Sequence, residues 1–407
     1  MTEAFLVLLV VVPLVVLVAW GVLRYRRAQQ FRVRGWEFSR DPGPRSVWGL
    51  NRPPFGRGSG REVRELVTGT VDGMAFRAVR YRSVTDEPPG LVVVLPLARS
   101  LPPAIVGATG ARPKAPVGTA LAAPEGLTLW ADDPAWGRAV LDALGPTASA
   151  LASANLAVSV DGTALVGLGA GGDAEGLAAA LPVFVQAARA LDQPALQGFQ
   201  GPPVPAEMSL VAHPDWVYRA QDDSMLDHVR ATRGGFDHEA LDVMFLAGAE
   251  VGFIALTHRW KTTRMVTEAG PNGTTTTRTV TDHHSEELLE ITLGFPFVDL
   301  SVNKGFDWGR ERVRFESDDF NRQFSVRCRD ARFASNVFHP RQMQFLQEAR
   351  PPAFAIQGRR LSVDHDGRVA TIEWWLDFAR GFFGRVPEFV WKDLGARPPQ
   401  LMLRWLA

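Results

Sequence analysis

The alternation of apolar and polar positions predicts a membrane helix followed by a mixture of strands and helices. Residues 4–23 form an uncharged, almost entirely apolar run, and about 20 such residues span a bilayer core as a helix. The stretches 65–84 and 242–261 each hold two strand-like runs around a turn, which predicts β-hairpins. The stretches 174–191 and 371–390 repeat apolar residues with helical period. We therefore expect an α+β fold behind an N-terminal transmembrane helix.

These elements recur in the same order in the two halves of the chain, which predicts an internal duplication. GWEF at 35–38 matches DWVY at 215–218, and each motif precedes one of the predicted hairpins. A short strand-like run, an aspartate and a helical pattern then follow at 127–146 and again at 324–343. We therefore expect two tandem related domains, each an antiparallel sheet packed with helices.

Two further segments extend the repeat. The segments 156–169 and 354–363 each consist of two apolar runs around a turn, Asp161-Gly162 in the first and Gln357-Gly358 in the second. Both segments precede one of the long helical patterns. Apolar runs joined by a glycine-containing turn are typical of β-hairpins, so we predict a hairpin at each place.

The repeats define the predicted domain boundaries. Residues 1–30 are the transmembrane anchor and its basic flank, and 31–191 are the first α+β domain. A linker rich in proline and glycine occupies 192–209. The second domain, a duplicate of the first, occupies 210–395, and an apolar tail follows at 396–407.

Charge beside the apolar run predicts the orientation of the chain. Residues 24–64 hold eleven arginines and three acidic residues, a net charge of +8. The positive-inside rule then places the N-terminus outside the cell membrane and the body in the cytoplasm, where the single cysteine, Cys328, stays reduced. Such arginines either set the topology alone or also bind anionic lipid. The candidate membrane-surface contacts are Arg24, Arg26, Arg27, Arg32 and Arg34.

A glycine cluster has the spacing of a dinucleotide-binding loop. Gly167, Gly169 and Gly172 fit G-x-G-x-x-G. Such a loop needs a parallel strand after its helix, with an acidic residue about 20 residues farther on. Here the linker follows instead, and the second copy carries DHDGR at 364–368 with no such motif. We therefore interpret the glycines as a surface turn and expect no cofactor.

Asp282-His283-His284 resembles a metal-dependent phosphoesterase motif, but no other histidines have H-x-H or H-x-x-x-H spacing. The favoured interpretation makes residues 262–285 the arm of a long hairpin with its tip at 271–273. No G-x-S-x-G and no P-loop occurs. We therefore predict no catalytic residue and no metal site.

The segment 315–333, FESDDFNRQFSVRCRDARF, combines dense charge with phenylalanines. In one interpretation its acidic and basic side chains pair with each other on a solvated face. In the other, they form a recognition surface for a charged partner. The candidate interaction surface consists of Asp318, Asp319, Asn321, Arg322, Arg327 and Arg329.

This part of the chain resembles a family of uncharacterised single-pass membrane-anchored proteins of actinobacteria. Their recurring pattern is F-x-S-x-x-F-N-R-x-F-x-V, then D-x-R-F-A, then H-P-R-x-M. It is matched by Phe315, Ser317, Phe320, Asn321, Arg322, Phe324, Val326, Asp330, Arg332, Phe333, Ala334, His339, Pro340, Arg341 and Met343. The resemblance covers roughly 210–395 and, more weakly, 31–191. It implies a membrane location and a duplication, and it carries no established activity.

Three functional hypotheses follow. A net charge of zero gives no reason to expect nucleic acid as a partner. The favoured hypothesis is a membrane-tethered, non-catalytic binding or scaffold protein that contacts the lipid bilayer and an unidentified protein. The second is a hydrolase or small-molecule-binding enzyme with a site between the duplicated domains. The third is a lipid or cell-envelope sensor.

Overall fold

The computed structural model of the 407-residue chain describes residues 21–22, 25–108, 118–121, 123, 126–229, 234–246, 251–269, 275–305, 312–364 and 369–398. Nearly all of the predicted membrane helix at 4–23 and most of the tail at 396–407 lie outside the described residues. The chain divides into two compact units, with unit 1 ending at Asp215 and unit 2 beginning at Trp216. Each unit contains an antiparallel sheet and several helices, which confirms the predicted α+β class.

In the sequence of unit 1, the first six strands come before helices that pack on the sheet. Its elements are β1 (Glu37–Arg40), β2 (Glu62–Val71), β3 (Met74–Arg82), β4 (Leu91–Ala108), β5 (Thr119–Leu121), β6 (Leu127–Ala131), α1 (Pro134–Leu144), α2 (Pro146–Ser153), β7 (Ala157–Ala170), α3 (Ala174–Leu191) and β8 (Met208–Ser209). The strand order is β1-β2-β3-β4-β6-β5, and β7 pairs with β4 as well. The predicted hairpin at 65–84 is confirmed: Asp72 and Gly73 join β2 to β3 with φ values of 50° and 77°, as a tight hairpin turn requires.

The core of unit 1 lies between the sheet and its helices. Val67, Leu95 and Leu165 project from the strands, and Phe184 of α3 packs with them in one buried cluster. Among the described residues, α3 is long and apolar enough to cross a membrane by length and composition, but 56 % of it is buried inside the structure. Its apolar residues therefore belong to the core of unit 1.

The segment predicted as a linker, 192–209, is an ordered part of unit 1. Asp192 accepts a hydrogen bond from the Ala98 amide at 3.1 Å, and the Gly201 amide donates to the Ser100 carbonyl at 3.0 Å. Pro202 accepts from the Ser100 hydroxyl at 2.8 Å. These three hydrogen bonds attach the segment to β4.

Unit 2 has a similar succession of elements. They are β9 (Val217–Gln221), β10 (Phe236–Leu246), β11 (Val251–Ala269), β12 (Thr275–Lys304), β13 (Arg312–Val313), α4 (Asp318–Gln323), β14 (Phe324–Cys328), α5 (Ala331–Val337), α6 (Pro340–Ala349), β15 (Phe354–Asp364), α7 (Val369–Phe383) and α8 (Glu388–Asp393). The predicted helix 371–390 is therefore two helices, α7 and α8, separated by a turn that ends at Pro387. The hairpin of β10 and β11 is paired as predicted, and its turn lies outside the described residues. Strands β11 and β12 are much longer than β3 and β4.

The strand order of unit 2 reproduces that of unit 1. Among the strands that follow Trp216 it runs β9-β10-β11-β12-β14-β13, with β15 also pairing with β12. Particular contacts recur too. Trp36 meets Phe76 edge to face at 5.3 Å, and Trp216 meets Phe253 in the same way at 4.6 Å. An aspartate that accepts a backbone amide begins the helix after the matching strand in each unit, at α1 and at α5.

The prediction of hairpins at 156–169 and 354–363 is wrong. Each segment is one continuous strand, β7 or β15, that pairs with the long central strand of its unit. Gly162 and Gly358 have the same φ of 59°, and the pairing register shifts on either side of each. A positive-φ glycine inside a strand produces a β-bulge, and the flanking apolar runs fit a bulged strand as well as a hairpin.

Strands β11 and β12 extend beyond the rest of the sheet of unit 2. They pair with each other from Val251↔Leu293 to Ala269↔Thr275. Strand β10 pairs with β11 no farther than Lys261, and β15 pairs with β12 no nearer the tip than Leu288. Residues 262–269 therefore pair with 275–282 as a two-stranded ribbon. We call this ribbon, together with residues 283–285 at its base, the arm. The sequence prediction of a long hairpin is confirmed, with its tip outside the described residues.

Candidate functional site

In the predicted interaction surface of unit 2, three residues bind neighbouring charged side chains and a fourth binds the backbone. Asp319 pairs with Arg322 one turn along α4, and Asp318 lies 3.5 Å from Arg314. Asn321 is buried, and its amide donates to the Phe315 carbonyl at 2.6 Å while its oxygen accepts from the Phe315 amide at 3.1 Å. Asn321 therefore holds the backbone in place and does not contribute to an exposed surface.

The remaining two predicted surface residues lie around the end of β14. Arg327 is half-buried within this strand, opposite Arg312 of β13, and Arg329 is exposed just beyond it. Asp330, next in the chain, accepts the Phe333 amide at 2.9 Å and so begins α5. Asp318, Asp319, Arg322 and Arg329 are thus exposed, on α4 and just beyond β14.

The predicted membrane-surface arginines divide into two groups. Arg26, Arg32 and Arg34 are exposed, and Arg24 lies outside the described residues. Arg27 instead binds inside unit 1, where its guanidinium lies 2.7 Å from the Glu65 carboxylate and also donates to the Gly172 carbonyl. It is therefore a structural residue, because its charge is already paired with a carboxylate of β2.

Glu65 receives a second arginine. Arg80 of β3 lies 3.0 Å from the same carboxylate oxygen as Arg27. Burial by itself raises the pKa of Glu65, but the hydrogen bonds and charges of Arg27 and Arg80 outweigh it, so the pKa lies below its usual 4.5. This three-residue network joins the helical residues 25–32 to the sheet of unit 1.

The interpretation of the glycine cluster as a surface turn is wrong for Gly167 and Gly169, which lie within β7. Gly167 lies under Phe184 of α3, where an added Cβ would come within 2.7 Å of the ring. The N-terminus of α3 is occupied by the Asp173 carboxylate, which accepts the Gly176 amide at 2.8 Å. A dinucleotide pyrophosphate needs those amides, and β7 is antiparallel to its neighbour β4.

Three histidines and a tryptophan of unit 2 form a stacked row at the base of the arm. His238, His258, Trp260 and His284 follow one another with ring centroids 4.7–5.2 Å apart. His258 is fully buried and bonds to His238 at 2.9 Å and to Glu286 at 3.0 Å. In the described part of the chain, no group of three or more His, Cys, Asp or Glu side chains could hold a metal ion.

A cleft of about 360 Å³ opens on the other face of the unit 1 sheet from the helices. Its floor consists of strand residues, and its rim comes from 48–50 and from Val204 in the segment predicted as a linker. The lining residues are Trp48, Gly49, Leu50, Ala75, Phe76, Arg77, Val94, Leu95, Pro96, Asp161, Thr163, Ala164 and Val204. The volume is at the lower end of the range for small-molecule sites.

Asp161 gives the cleft a buried carboxyl group. It is 4 % exposed, and one of its oxygens accepts the backbone amides of Asn51 and Arg52, each at 2.8 Å. Burial raises the pKa of Asp161 to about 6, although the two amide hydrogen bonds act in the opposite direction. The bulge at Gly162 directs this side chain towards the cleft and away from the helix-covered core.

Arg77 gives the cleft a positive charge. It is half-buried in β3, and burial lowers the pKa of its guanidinium. Among the described residues it has no hydrogen-bond or ion-pair partner, in contrast to Arg80 three residues later, which binds Glu65. A guanidinium removed from water without a carboxylate partner is a favourable site for a ligand anion.

Sequence reasoning missed both residues, although each left a signal. Asp161 is the sole charged residue in the apolar run 156–169, and its pairing with Gly162 favoured a turn. Arg77 is one of three arginines in β3, and the sequence does not distinguish it from Arg80 or Arg82. What separates them is their position in the folded sheet, which brings residues more than 80 positions apart into one cleft.

Comparisons with known proteins give little beyond this geometry. No family model matches the chain, and no curated protein matches it. Among solved structures, the chain is similar to the crystal structure of the mycobacterial trehalose monomycolate transport factor A, TtfA. The sequences are 16 % identical, the TM-score is 0.34, and the match covers 44 % of this chain and 97 % of that one. That protein has an actinobacterial source, like the family that the sequence resembles, but a likeness this weak supports no argument about function.

Proposed function

We propose that this chain is a membrane-tethered, non-catalytic binding protein whose unit 1 cleft holds a small molecule with an acidic group and an apolar body. The observation that carries the proposal is the half-buried Arg77 guanidinium, which lines the cleft without a partner among the described residues. A ligand carboxylate or phosphate bound there forms charge-assisted hydrogen bonds and satisfies the guanidinium.

The rest of the cleft fits the other parts of such a ligand. Val94, Ala164 and Val204 provide apolar walls, and the half-buried ring of Trp48 provides a flat one. The Asp161 carboxyl and the Thr163 hydroxyl are available to bind a hydroxyl or amino group of the ligand. No nucleophile and base are paired in the cleft, which favours binding over catalysis.

The proposed tether and orientation come from the sequence. The apolar run 4–23 crosses the cell membrane, and the arginines that follow it keep the body in the cytoplasm. The exposed Arg26, Arg32 and Arg34 lie in and just after the helical residues 25–32 and face the lipid headgroups.

The proposed duplication bears on which of the two units binds the ligand. Equal strand order and the paired Trp–Phe contacts support a common origin of the two units. If Phe253 corresponds to Phe76, then Ile254 stands where Arg77 stands, and Gln357 stands where Asp161 stands. Unit 2 therefore lacks both charged groups, and we assign ligand binding to unit 1.

Thermal unfolding of the full-length chain in detergent tests the proposal, with hexanoate and inorganic phosphate as probes. A ligand present at 100 times its dissociation constant stabilises a folded protein by about 2.7 kcal/mol. We expect hexanoate to raise the melting temperature of the wild type, because it carries both an acid and an apolar chain. Arg77→Met should abolish the shift. The matched control is Arg138→Met, which changes an exposed arginine on α1.

The outcomes separate clearly. A shift kept in Arg138→Met and lost in Arg77→Met supports the cleft as an acid-binding site. If phosphate raises the melting temperature and hexanoate does not, the cleft recognises mainly the acidic group of its ligand. If hexanoate and phosphate leave the wild type unchanged, or if Arg77→Met responds like the wild type, the proposal is wrong.

A further inference from the structure

We propose that the arm of unit 2 is a self-association surface, which pairs edge to edge with the arm of a second copy of this chain. Strand β12 hydrogen-bonds to β11 on one side throughout the arm. On its other side, residues 275–285 face no partner strand in the part of the chain that the structure describes. An open strand edge is a template for a further strand.

The sequence of this edge is complementary to itself. Residues 275–285 have Val280 at their centre, with Arg278 two positions before it and Asp282 two positions after it. In an antiparallel pair related by a two-fold axis at Val280, Arg278 of each copy lies directly opposite Asp282 of the other. Opposite charges in such cross-strand positions stabilise the pair, and like charges destabilise it.

Arg278 and Asp282 can give up their partners within the chain for partners in a second copy. In the single chain, Arg278 lies 2.7 Å from Glu268 and Asp282 lies 2.7 Å from Arg264, and Arg278, Glu268 and Arg264 are more than half exposed. Exposed ion pairs of this kind contribute little to stability, so their rearrangement costs little. The other residues of the edge are mainly threonine and histidine with Val280, and β-branched residues favour strands.

The opposite edge of the arm is the natural control. Residues 262–269 of β11 also carry a basic and an acidic residue around a valine, Arg264 and Glu268 around Val266. This edge is shorter, eight residues against eleven, and therefore offers fewer backbone hydrogen bonds. Val266 and Val280 lie on the same face of the arm, because each is directly opposite one of the paired arginines.

Cysteine cross-linking of the full-length chain in detergent distinguishes the two edges. Under mild oxidation, Val280→Cys should form a disulfide-linked dimer in high yield, because the two-fold axis places both copies of residue 280 opposite each other. Val266→Cys should give no more dimer than the wild type, whose Cys328 is buried. A dimer from Val266→Cys in the yield of Val280→Cys, or no dimer from Val280→Cys, would overturn the proposal.

Charge reversal then tests the pairing itself by sedimentation of the same preparations. Arg278→Asp and Asp282→Arg each create two like-charge contacts, and each should weaken dimerisation by roughly tenfold or more. The double variant restores opposite charges and should restore the dimer. If the double variant dimerises as poorly as the single ones, or if the single ones dimerise like the wild type, the register around Val280 is wrong.

Discussion

Replacing Asp161 with asparagine should make unit 1 more stable at neutral and basic pH. The folded-state pKa of about 6 exceeds the ordinary value of 3.8, so the folded protein holds its proton more tightly than the unfolded chain. Stability is therefore highest below the ordinary pKa and falls as pH rises through about 6. The difference between these two pKa values corresponds to about 3 kcal/mol of stability, at ~1.4 kcal/mol for each pKa unit.

Asparagine keeps an oxygen that accepts the Asn51 and Arg52 amides, and it has no charge to bury. The free energy of unfolding, measured by hydrogen exchange of β7 peptides in urea, should match the wild type near pH 4 and exceed it by about 3 kcal/mol near pH 8. Asp132→Asn, at an exposed position, is the control and should follow the wild type. If the difference between Asp161→Asn and the wild type does not change with pH, burial of this carboxyl is not the cause of its raised pKa.

Three further substitutions test other parts of the structure by urea unfolding. Gly162→Ala should lower the free energy of unfolding by about 2–3 kcal/mol, because φ is positive there and the new methyl would lie 2.8 Å from a valine methyl. Gly358→Ala has the same φ but no atom within 4 Å of the new methyl, so it should cost ~1 kcal/mol. Equal costs for the two variants would contradict this reasoning. Glu65→Gln should destabilise by ~1 kcal/mol at neutral pH, with the loss fading as pH falls below about 4.5, since the carboxylate stabilises the fold only while ionised; a loss that persists in acid would count against the arginine network. Asn321→Ala should lower the free energy of unfolding by about 2 kcal/mol, because it removes two buried hydrogen bonds. Arg322→Ala removes an exposed ion pair and should cost less than ~0.5 kcal/mol. The reverse order would contradict the buried, structural role of Asn321.

The sequence predicted elements whose patterns are local. The helix at 174–191 and the turn at Asp72-Gly73 lie where they were expected, since helical period and a two-residue turn are properties of neighbouring residues. The bulges at Gly162 and Gly358 were mistaken for hairpin turns, because a glycine between apolar runs fits both structures. Only pairing with a distant strand decides between them.

The candidate site was beyond the reach of sequence patterns for a related reason. Arg77, Asp161 and Val204 belong to three separate segments and meet only when β3, β7 and the segment 192–209 fold against one sheet. The charged run at 315–333 attracted attention because its charges are adjacent in sequence. In the structure Asp319 and Arg322 of this run neutralise each other within one turn of α4. Arg77, which has no partner among the described residues, lies in an ordinary-looking strand.

The bulges that recur in β7 and β15 also bear on how such a protein acquires new properties. A bulge frees the residue beside its glycine from the strict alternation of the strand, so that residue can change without disturbing the neighbouring pairs. Position 161 is occupied by aspartate and its counterpart 357 by glutamine, and both strands keep their pairing with the central strand. Under the proposed duplication, one unit can therefore exchange one recognition group for another by a single substitution while the other unit keeps its earlier form.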